Sequence, residues 1–304
     1  MIRLFASDMD GTLLNNKGYI SDRTIKAVKK LQKSGVSFII NTGRDYHAAK
    51  RELDAASISC DMICHSGACT YDVYGNAFHI ASLPKSIALK ILNIFEKHGA
   101  FADIATDYGK TSITDKSSLL NYYKTEVFPS LEQEHKVYFS TWHDFAVMVS
   151  GVRFFEGKES LLSCETPIYK ICTTFFDQKK IEDLKEEIHG IDQLHAVSTS
   201  RYDLEITHIN AQKGTALLRY AQTKKITPSQ ILAVGDSGND LSMLSLDLGI
   251  TAAMANASAP IKKVCSKVIP SNDHDGVSFL IEDVLDMNEF SMNAKHSFQL
   301  CVNP

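Results

Sequence analysis

Much that would assign a chain of 304 residues to a familiar class is missing from this one. It has no apolar run long enough to cross a bilayer, and its longest, such as Val36–Ile40, suit buried strands. The opening Met1-Ile2-Arg3-Leu4-Phe5-Ala6 is too short an apolar run for a signal peptide and leads straight into a strand pattern. A cytoplasmic location with no membrane partner is therefore expected. There is no basic stripe: the formal net charge is −4, and clusters such as Lys29-Lys30 and Lys262-Lys263 fall on helical patterns as solvated faces. A nucleic-acid backbone is thus not an expected partner. The seven cysteines are scattered, form no Cys-x-x-Cys and are odd in number, which argues for reduced thiols. Cys60, Cys64 and His65 could be drawn as a metal site, but their strand-like setting favours small buried residues. No Gly-x-Gly-x-x-Gly follows the first strand, which counts against a nicotinamide-binding domain. Internal repeats and low-complexity tracts are absent.

What is present is the balance of a globular protein, 44% hydrophobic and 22% charged, in a chain long enough for two domains. Strands and helices alternate in the first third. Ile2–Ser7 reads as a buried strand. Ser21 can cap a helix carrying Ile25, Val28 and Leu31 that stops at Gly35. A strand at Val36–Asn41, a helix from about Asp45 to Ala55, a short strand at Met62–His65 and a hairpin over Thr70–Ile80 follow. Such alternation predicts a parallel sheet with helices on both faces, whose ligands bind beyond the C-terminal strand ends. The middle differs: a helix opened by Pro84, strand runs at Ala102–Thr106, Thr111–Thr114 and Ile168–Phe176, a charged helix Gln178–Ile188, and strands at Ala196–Ser200 and Tyr202–Thr207. This reads as an inserted α+β module. Alternation resumes after Lys213 and ends in a helix from about Gly276 to Leu285, with a frayed tail expected after Met287.

Four constellations stand where strands end or helices begin. Ser7-Asp8-Met9-Asp10-Gly11-Thr12 closes the first strand, with two carboxylates two residues apart and a glycine that permits a sharp turn. That suits a cation beside a phosphate, and a carboxylate can serve as a nucleophile; taken alone, the string could also be an Asx-type turn. Asn41-Thr42-Gly43-Arg44 ends the second strand, where a hydroxyl and an amide can donate to phosphate oxygens. Lys213-Gly214 opens the helix where alternation resumes, and a lysine there can neutralise phosphate charge. Gly235-Asp236-Ser237-Gly238-Asn239-Asp240 follows the strand Ile231–Val234 and offers the hard oxygen ligands magnesium prefers; a capped helix start would account for the same residues.

Their order resembles the haloacid dehalogenase-like (HAD) phosphatase superfamily, and specifically its Cof-type branch with a type IIB cap. The likeness extends to about Leu285 and includes the late strings Gly249–Ala257 and Asn272–Leu280. It implies an α/β fold: a Rossmann-like doubly wound parallel sheet core from residues 1–82 and 208–288, an inserted α+β cap over 83–207, and a tail over 289–304. It implies a phosphatase that acts on small phosphorylated metabolites, such as sugar phosphates, through an aspartyl-phosphate. Asp8 would be the nucleophile and Asp10 the general acid and base. Asp8, Met9, Thr42, Gly43, Arg44, Lys213 and Asn239 would hold the substrate. Mg2+ would be bound by Asp8, Asp10, Asp236 and Asp240, with Asp10 contributing its backbone carbonyl. Ser66-Gly67 stands where the family often has Asn-Gly, so the substrate contact expected there is weaker, and the stretch from about Asn121 to Glu165 matches no pattern of the family. A phosphomutase on the same core and a non-catalytic phosphometabolite-binding protein are the alternatives.

Overall fold

The computed structural model describes residues 1–129, 151–175, 177–198 and 202–302, with side chains as far as Ser291. The described residues form two sheets. Strands β1 (Leu4–Ser7), β2 (Ser37–Asn41), β3 (Asp61–Cys64), β4 (Cys69–Tyr71) and β5 (Ala77–Phe78) come from the start of the chain. Strands β6 (Asp103–Thr106), β7 (Gly109–Ser112), β8 (Arg153–Phe154), β9 (Ile168–Thr174), β10 (Leu194–Val197) and β11 (Asp203–His208) form the second sheet. Strands β12 (Ile231–Gly235), β13 (Ile250–Met254) and β14 (Lys267–Ile269) return to the first. The eight-stranded sheet has the order β14-β13-β12-β1-β2-β3-β4-β5, parallel as far as β3 and antiparallel beyond it. The fold is α/β, as the alternation predicts.

Continuous apolar strands make this sheet a buried layer: Leu4, Phe5, Ala6, Ile39 and Ile231–Val234 are all fully covered. Helix α1 (Asp22–Lys33) starts where the Ser21 hydroxyl accepts from the Thr24 N–H, and it buries Val28 and Leu31. The Asp45 side chain accepts from Ala48 to start α2 (Tyr46–Ala55). Because parallel strands place their C-terminal ends on one edge, Ser7, Asn41 and Gly235 finish side by side, and the loops after them converge.

The second sheet, ordered β10-β11-β9-β6-β7-β8, has its own apolar core. Helices α3 (Lys85–Lys97) and α4 (Gln178–His189) supply Ile91, Leu92, Phe95, Ile181, Leu184 and Ile188, which pack with Ile171, Leu204 and Ile206. In β9 and β11 the register pairs Ile171 with Ile206, Lys170 with Thr207 and Cys172 with Glu205. Strand alternation therefore turns Lys170 and Glu205 away from these helices.

Some boundaries differ from the sequence reading. Strand β10 begins at Leu194 rather than Ala196, while Phe176 and Ser200, expected at strand ends, lie outside the described residues, as does much of the Asn121–Glu165 stretch. The short strands β8 and β14 were not anticipated. The last helix runs from Gly276 to Val302, well past Leu285. No glycine or proline interrupts that span, so nothing local ends the helix.

Candidate active site

The loop after β1 turns through Gly11, whose φ is +71°. A Cβ at Gly11 would lie 2.4 Å from Asp236 Oδ2, so glycine is required both by conformation and by the closeness of the acid loop. Thr12 Oγ1 donates to Asp236 Oδ1 at 3.1 Å. Asn256 Nδ2 donates to the Gly11 carbonyl at 2.7 Å, and Asn272 Nδ2 to the Leu14 carbonyl at 3.0 Å. The two late sequence strings thus pin the first loop from behind.

Lys213 opens helix α5 (Lys213–Thr223), and its side chain is wholly buried. Its Nζ lies 2.6 Å from Asp8 Oδ1 and 2.7 Å from Asp240 Oδ1. Asn41 Nδ2 donates to the Lys213 carbonyl at 3.0 Å, which fixes the lysine's backbone against the end of β2. Asp240 Oδ2 accepts from the N–H groups of Asp236 and Ser237, both at 3.0 Å, so this carboxylate shapes the loop as well as pairing with the lysine.

Oxygen atoms of Asp8, Asp236 and Asp240 lie within 4.8 Å of one another. One ammonium among three carboxylates leaves an excess of negative charge. Burial, and then Asp240, push the Asp8 carboxyl well above its usual range, against the pull of Lys213. Burial and Asp240 likewise raise Asp236 to about 7. Burial opposes the charge on Lys213, but Asp240 and Asp8 outweigh it and raise its pKa. An all-oxygen, negatively charged cluster of this kind fits a hard divalent cation.

Of the other expected residues, Asp10, Gly43, Arg44 and Asn239 line a cavity of about 270 Å³ together with Asp8, Glu205 and Ser237. Thr42 Oγ1 accepts from the Arg44 N–H at 3.1 Å and keeps its own proton to donate. Asn239 Oδ1 accepts from Ser237 Oγ at 2.9 Å, which leaves the amide NH2 as its donor. Met9 buries its side chain completely, so only its main chain can meet a phosphate. Arg44 is turned to other partners: Nε and Nη2 hold the two Asp10 oxygens at 2.8 and 2.7 Å, and Nη1 holds Glu52 at 3.1 Å. The Asp10 carboxylate is half exposed and stands outside the acid cluster. Cys60 and Cys64 sit in the apolar core, where burial raises the Cys60 thiol to about 12. His65 stacks on Tyr169 with ring centroids 4.5 Å apart, as part of the packing.

The sequence reading missed Glu205 and Lys170. Lys170 Nζ lies 2.5 Å from Glu205 Oε2 and donates to the Gly43 carbonyl at 3.0 Å, which joins the second sheet to the loop after β2. The available signal was an acid between Leu204 and Ile206 in a strand pattern, on the face opposite the apolar one.

The parallel sheet, the acid cluster with its buried lysine, and a second sheet roofing the cavity define a class. Residues 5–281 match the haloacid dehalogenase-like hydrolases, and the chain belongs to that family. Among curated relatives, phosphatase YwpJ of Bacillus subtilis is 28% identical over 295 residues, covering 93% of this chain and all of that protein. The 5-amino-6-(5-phospho-D-ribitylamino)uracil phosphatase YwtE of the same organism is 28% identical over 287 residues, covering 93% of this chain and 98% of that protein. A solved haloacid dehalogenase-like hydrolase from B. subtilis superposes with a TM-score of 0.81 at 27% identity, covering 92% of this chain and 99% of that structure. The chain is an enzyme of the HAD-family phosphatases. No described helix is long and apolar enough to cross a membrane.

Proposed function

We propose that the protein is a magnesium-dependent phosphatase of small phosphorylated metabolites, sugar phosphates among them, working through an aspartyl-phosphate on Asp8. The observation that carries this reading is the Lys213 ammonium held between Asp8 and Asp240 beside Asp236, with Asp8 lining a cavity that it shares with Asp10 and Asn239. Lys213 fixes Asp8 Oδ1, which leaves the second oxygen to attack phosphorus. As that O–P bond forms, the bond from phosphorus to the leaving oxygen breaks, and Asp10 gives that oxygen a proton. Asp10 then takes a proton from water, the water oxygen attacks phosphorus, and inorganic phosphate leaves with Asp8 restored. The Thr42 hydroxyl, the Gly43 and Met9 main chain, the Asn239 amide and Lys213 orient the phosphoryl oxygens. Arg44 holds both Asp10 oxygens in the empty site, so one of these contacts has to open for Asp10 to carry the proton it transfers. Asp8, Asp236 and the Asp10 carbonyl would hold Mg2+, with Asp240 supporting them. When bound, the ion would offset the charge of the carboxylates and the phosphoryl oxygens.

In domain terms, residues 1–82 and 208–288 form the catalytic core and 83–207 the cap that excludes water and meets the leaving group. The decisive experiment is Asp8→Asn. It removes the nucleophile but leaves Lys213 paired with Asp240, so the variant is expected to fold and to release no phosphate from p-nitrophenyl phosphate with magnesium. Turnover near the wild-type rate would end the nucleophile assignment.

A further inference from the structure

The space beside Asp8 does not end at Arg44. Gly43 and Arg44 also line a second cavity, of about 240 Å³, whose opposite wall includes Ala105, Lys110 and Cys172 of the second sheet. Asp45, His65 and Gly109 in turn line both that cavity and a third, of about 200 Å³. The three spaces therefore follow the loop from the end of β2 into the first turn of α2, with Gly43 lining the first and Tyr46 the last. Three peptide steps span at most about 11 Å, so Tyr46 stands within that reach of the loop proposed to hold the phosphoryl group.

The third cavity differs in chemistry from the first. Four of its lining side chains are rings: Tyr46, His47, His65 and Tyr71. Tyr46 packs on Tyr71 with centroids 4.7 Å apart and on His47 at 5.3 Å. The tip of the β4–β5 hairpin braces it, since a Cβ at Gly75 would lie 2.6 Å from the Tyr46 hydroxyl oxygen. His65 is stacked on Tyr169, whose hydroxyl donates to Asp107 Oδ1. Tyr46 and Tyr71 are only partly buried, which leaves ring surface for a ligand. The remaining wall comes from the end of β6 and the turn to β7, at Thr106, Asp107 and Gly109. No lysine or arginine lines this cavity among the described residues, whereas Asp45 and Asp107 do. Asp45 is committed to the Ala48 N–H at the start of α2. Asp107 is exposed, and its Oδ2 accepts no hydrogen bond among the described residues. Aromatic faces stack planar rings, and a free carboxylate oxygen selects N–H donors and repels anions.

We propose that this ring-lined cavity binds a planar heteroaromatic ring at the far end of the leaving group, with Tyr46 as a stacking surface and Asp107 as the acceptor for a ring N–H. The assignment rests on the phosphatase reading and narrows it. The substrate is a phosphomonoester in which a short linker, lying in the middle cavity, joins the ester oxygen to the ring. A bare sugar phosphate leaves the third cavity empty, and a second anionic group at the far end meets carboxylates and no cation. Tyr46 and Asp107 are specificity-determining residues, remote from the reacting atoms.

The test measures kcat/KM of the full-length protein, with magnesium, for two pairs of esters that differ by the ring: uridine 5′-monophosphate against ribose 5-phosphate, and flavin mononucleotide against ribitol 5-phosphate. In at least one pair the ring-bearing ester is expected to be preferred about tenfold or more, the worth of one stacked ring. Tyr46→Leu is expected to cut that ratio about tenfold, while Tyr46→Phe, which keeps the ring, preserves it. In Asp107→Asn the amide oxygen turns to Tyr169 and an NH2 replaces the acceptor, so the ratio is again expected to fall about tenfold. Asp107 is exposed, so this variant decides the matter if Tyr46→Leu does not fold. Wild-type ratios near one in both pairs, or a ratio that neither Tyr46→Leu nor Asp107→Asn moves, would overturn the proposal. Phosphate release from p-nitrophenyl phosphate, whose ring sits on the ester oxygen and cannot reach the third cavity, would then show that the phosphatase reading stands. Failure of the wild-type protein to hydrolyse any phosphate ester would remove the phosphatase reading itself, and this proposal with it.

Discussion

Replacing Lys213 with methionine tests the electrostatics of the site most directly. Lys213 and the two side chains it joins are at most 5% exposed, and the two contacts are 2.6 and 2.7 Å long. At an effective dielectric of about 20, each contact represents about 6 kcal/mol of Coulomb attraction before the cost of taking the charges out of water. Desolvation cancels much of that, and removing one partner of a buried ion pair typically costs about 3–5 kcal/mol because the other charge is stranded. Here two carboxylates would be stranded beside Asp236, so the upper part of that range applies. With a urea m-value of about 2–3 kcal/mol/M, the unfolding midpoint should fall by about 1.3–2.5 M. Adding Asp240→Asn to the variant should recover part of the loss by removing one stranded charge, while phosphate release stays at least about a hundredfold down. A Lys213→Met midpoint within about 0.2 M of wild type, or a double variant no more stable than the single one, would refute this account of the site.

Two further outcomes follow from groups beside that pair. Magnesium should raise the melting temperature of the wild-type protein, with about 2.7 kcal/mol gained at a hundred times the dissociation constant, and the rise should vanish in Asp236→Asn; a melting temperature indifferent to magnesium in both proteins would count against the acid cluster as a cation site. His65 is buried against Tyr169, and burial followed by Lys170 lowers its pKa from 6.5 to about 4. The unfolded chain therefore binds this proton below about pH 6.5 while the folded one refuses it until about pH 4. Stability is full above that window and falls by about 3 kcal/mol as the pH descends through it. His65→Asn, which tolerates the residue's φ of +51°, should flatten that part of the stability curve measured by urea titration at several pH values; an unchanged slope would show that other groups carry it.

The parallel sheet and its loops were legible because each signal is local. A run such as Ile231–Val234 announces a buried strand, and the polar string behind it can only lie at the strand's end. The family resemblance rested on the same strings. Arg44 was harder to read, since its contacts with Asp10 and Glu52 depend on the trajectory of a loop and on fork geometry, neither of which spacing encodes. Glu205 and Lys170 are 35 residues apart and meet only through antiparallel register. The short strands β8 and β14 are too brief to show a period, and the far end of the last helix lacks an apolar pattern although nothing in it breaks a helix.

The place of β1 in the sheet has a consequence for biosynthesis. This strand lies between β2, which follows it closely in the chain, and β12, whose first residue is Ile231. While the chain is still emerging from the ribosome, one side of β1 is therefore a bare sheet edge, and it remains so until more than two hundred residues later its neighbour arrives. Asp8 waits as long, 205 positions ahead of the lysine that compensates its charge. The nascent first half cannot complete its central hydrogen-bond ladder alone, and chains truncated before Ile231 should be the ones that chaperones hold and proteases clear.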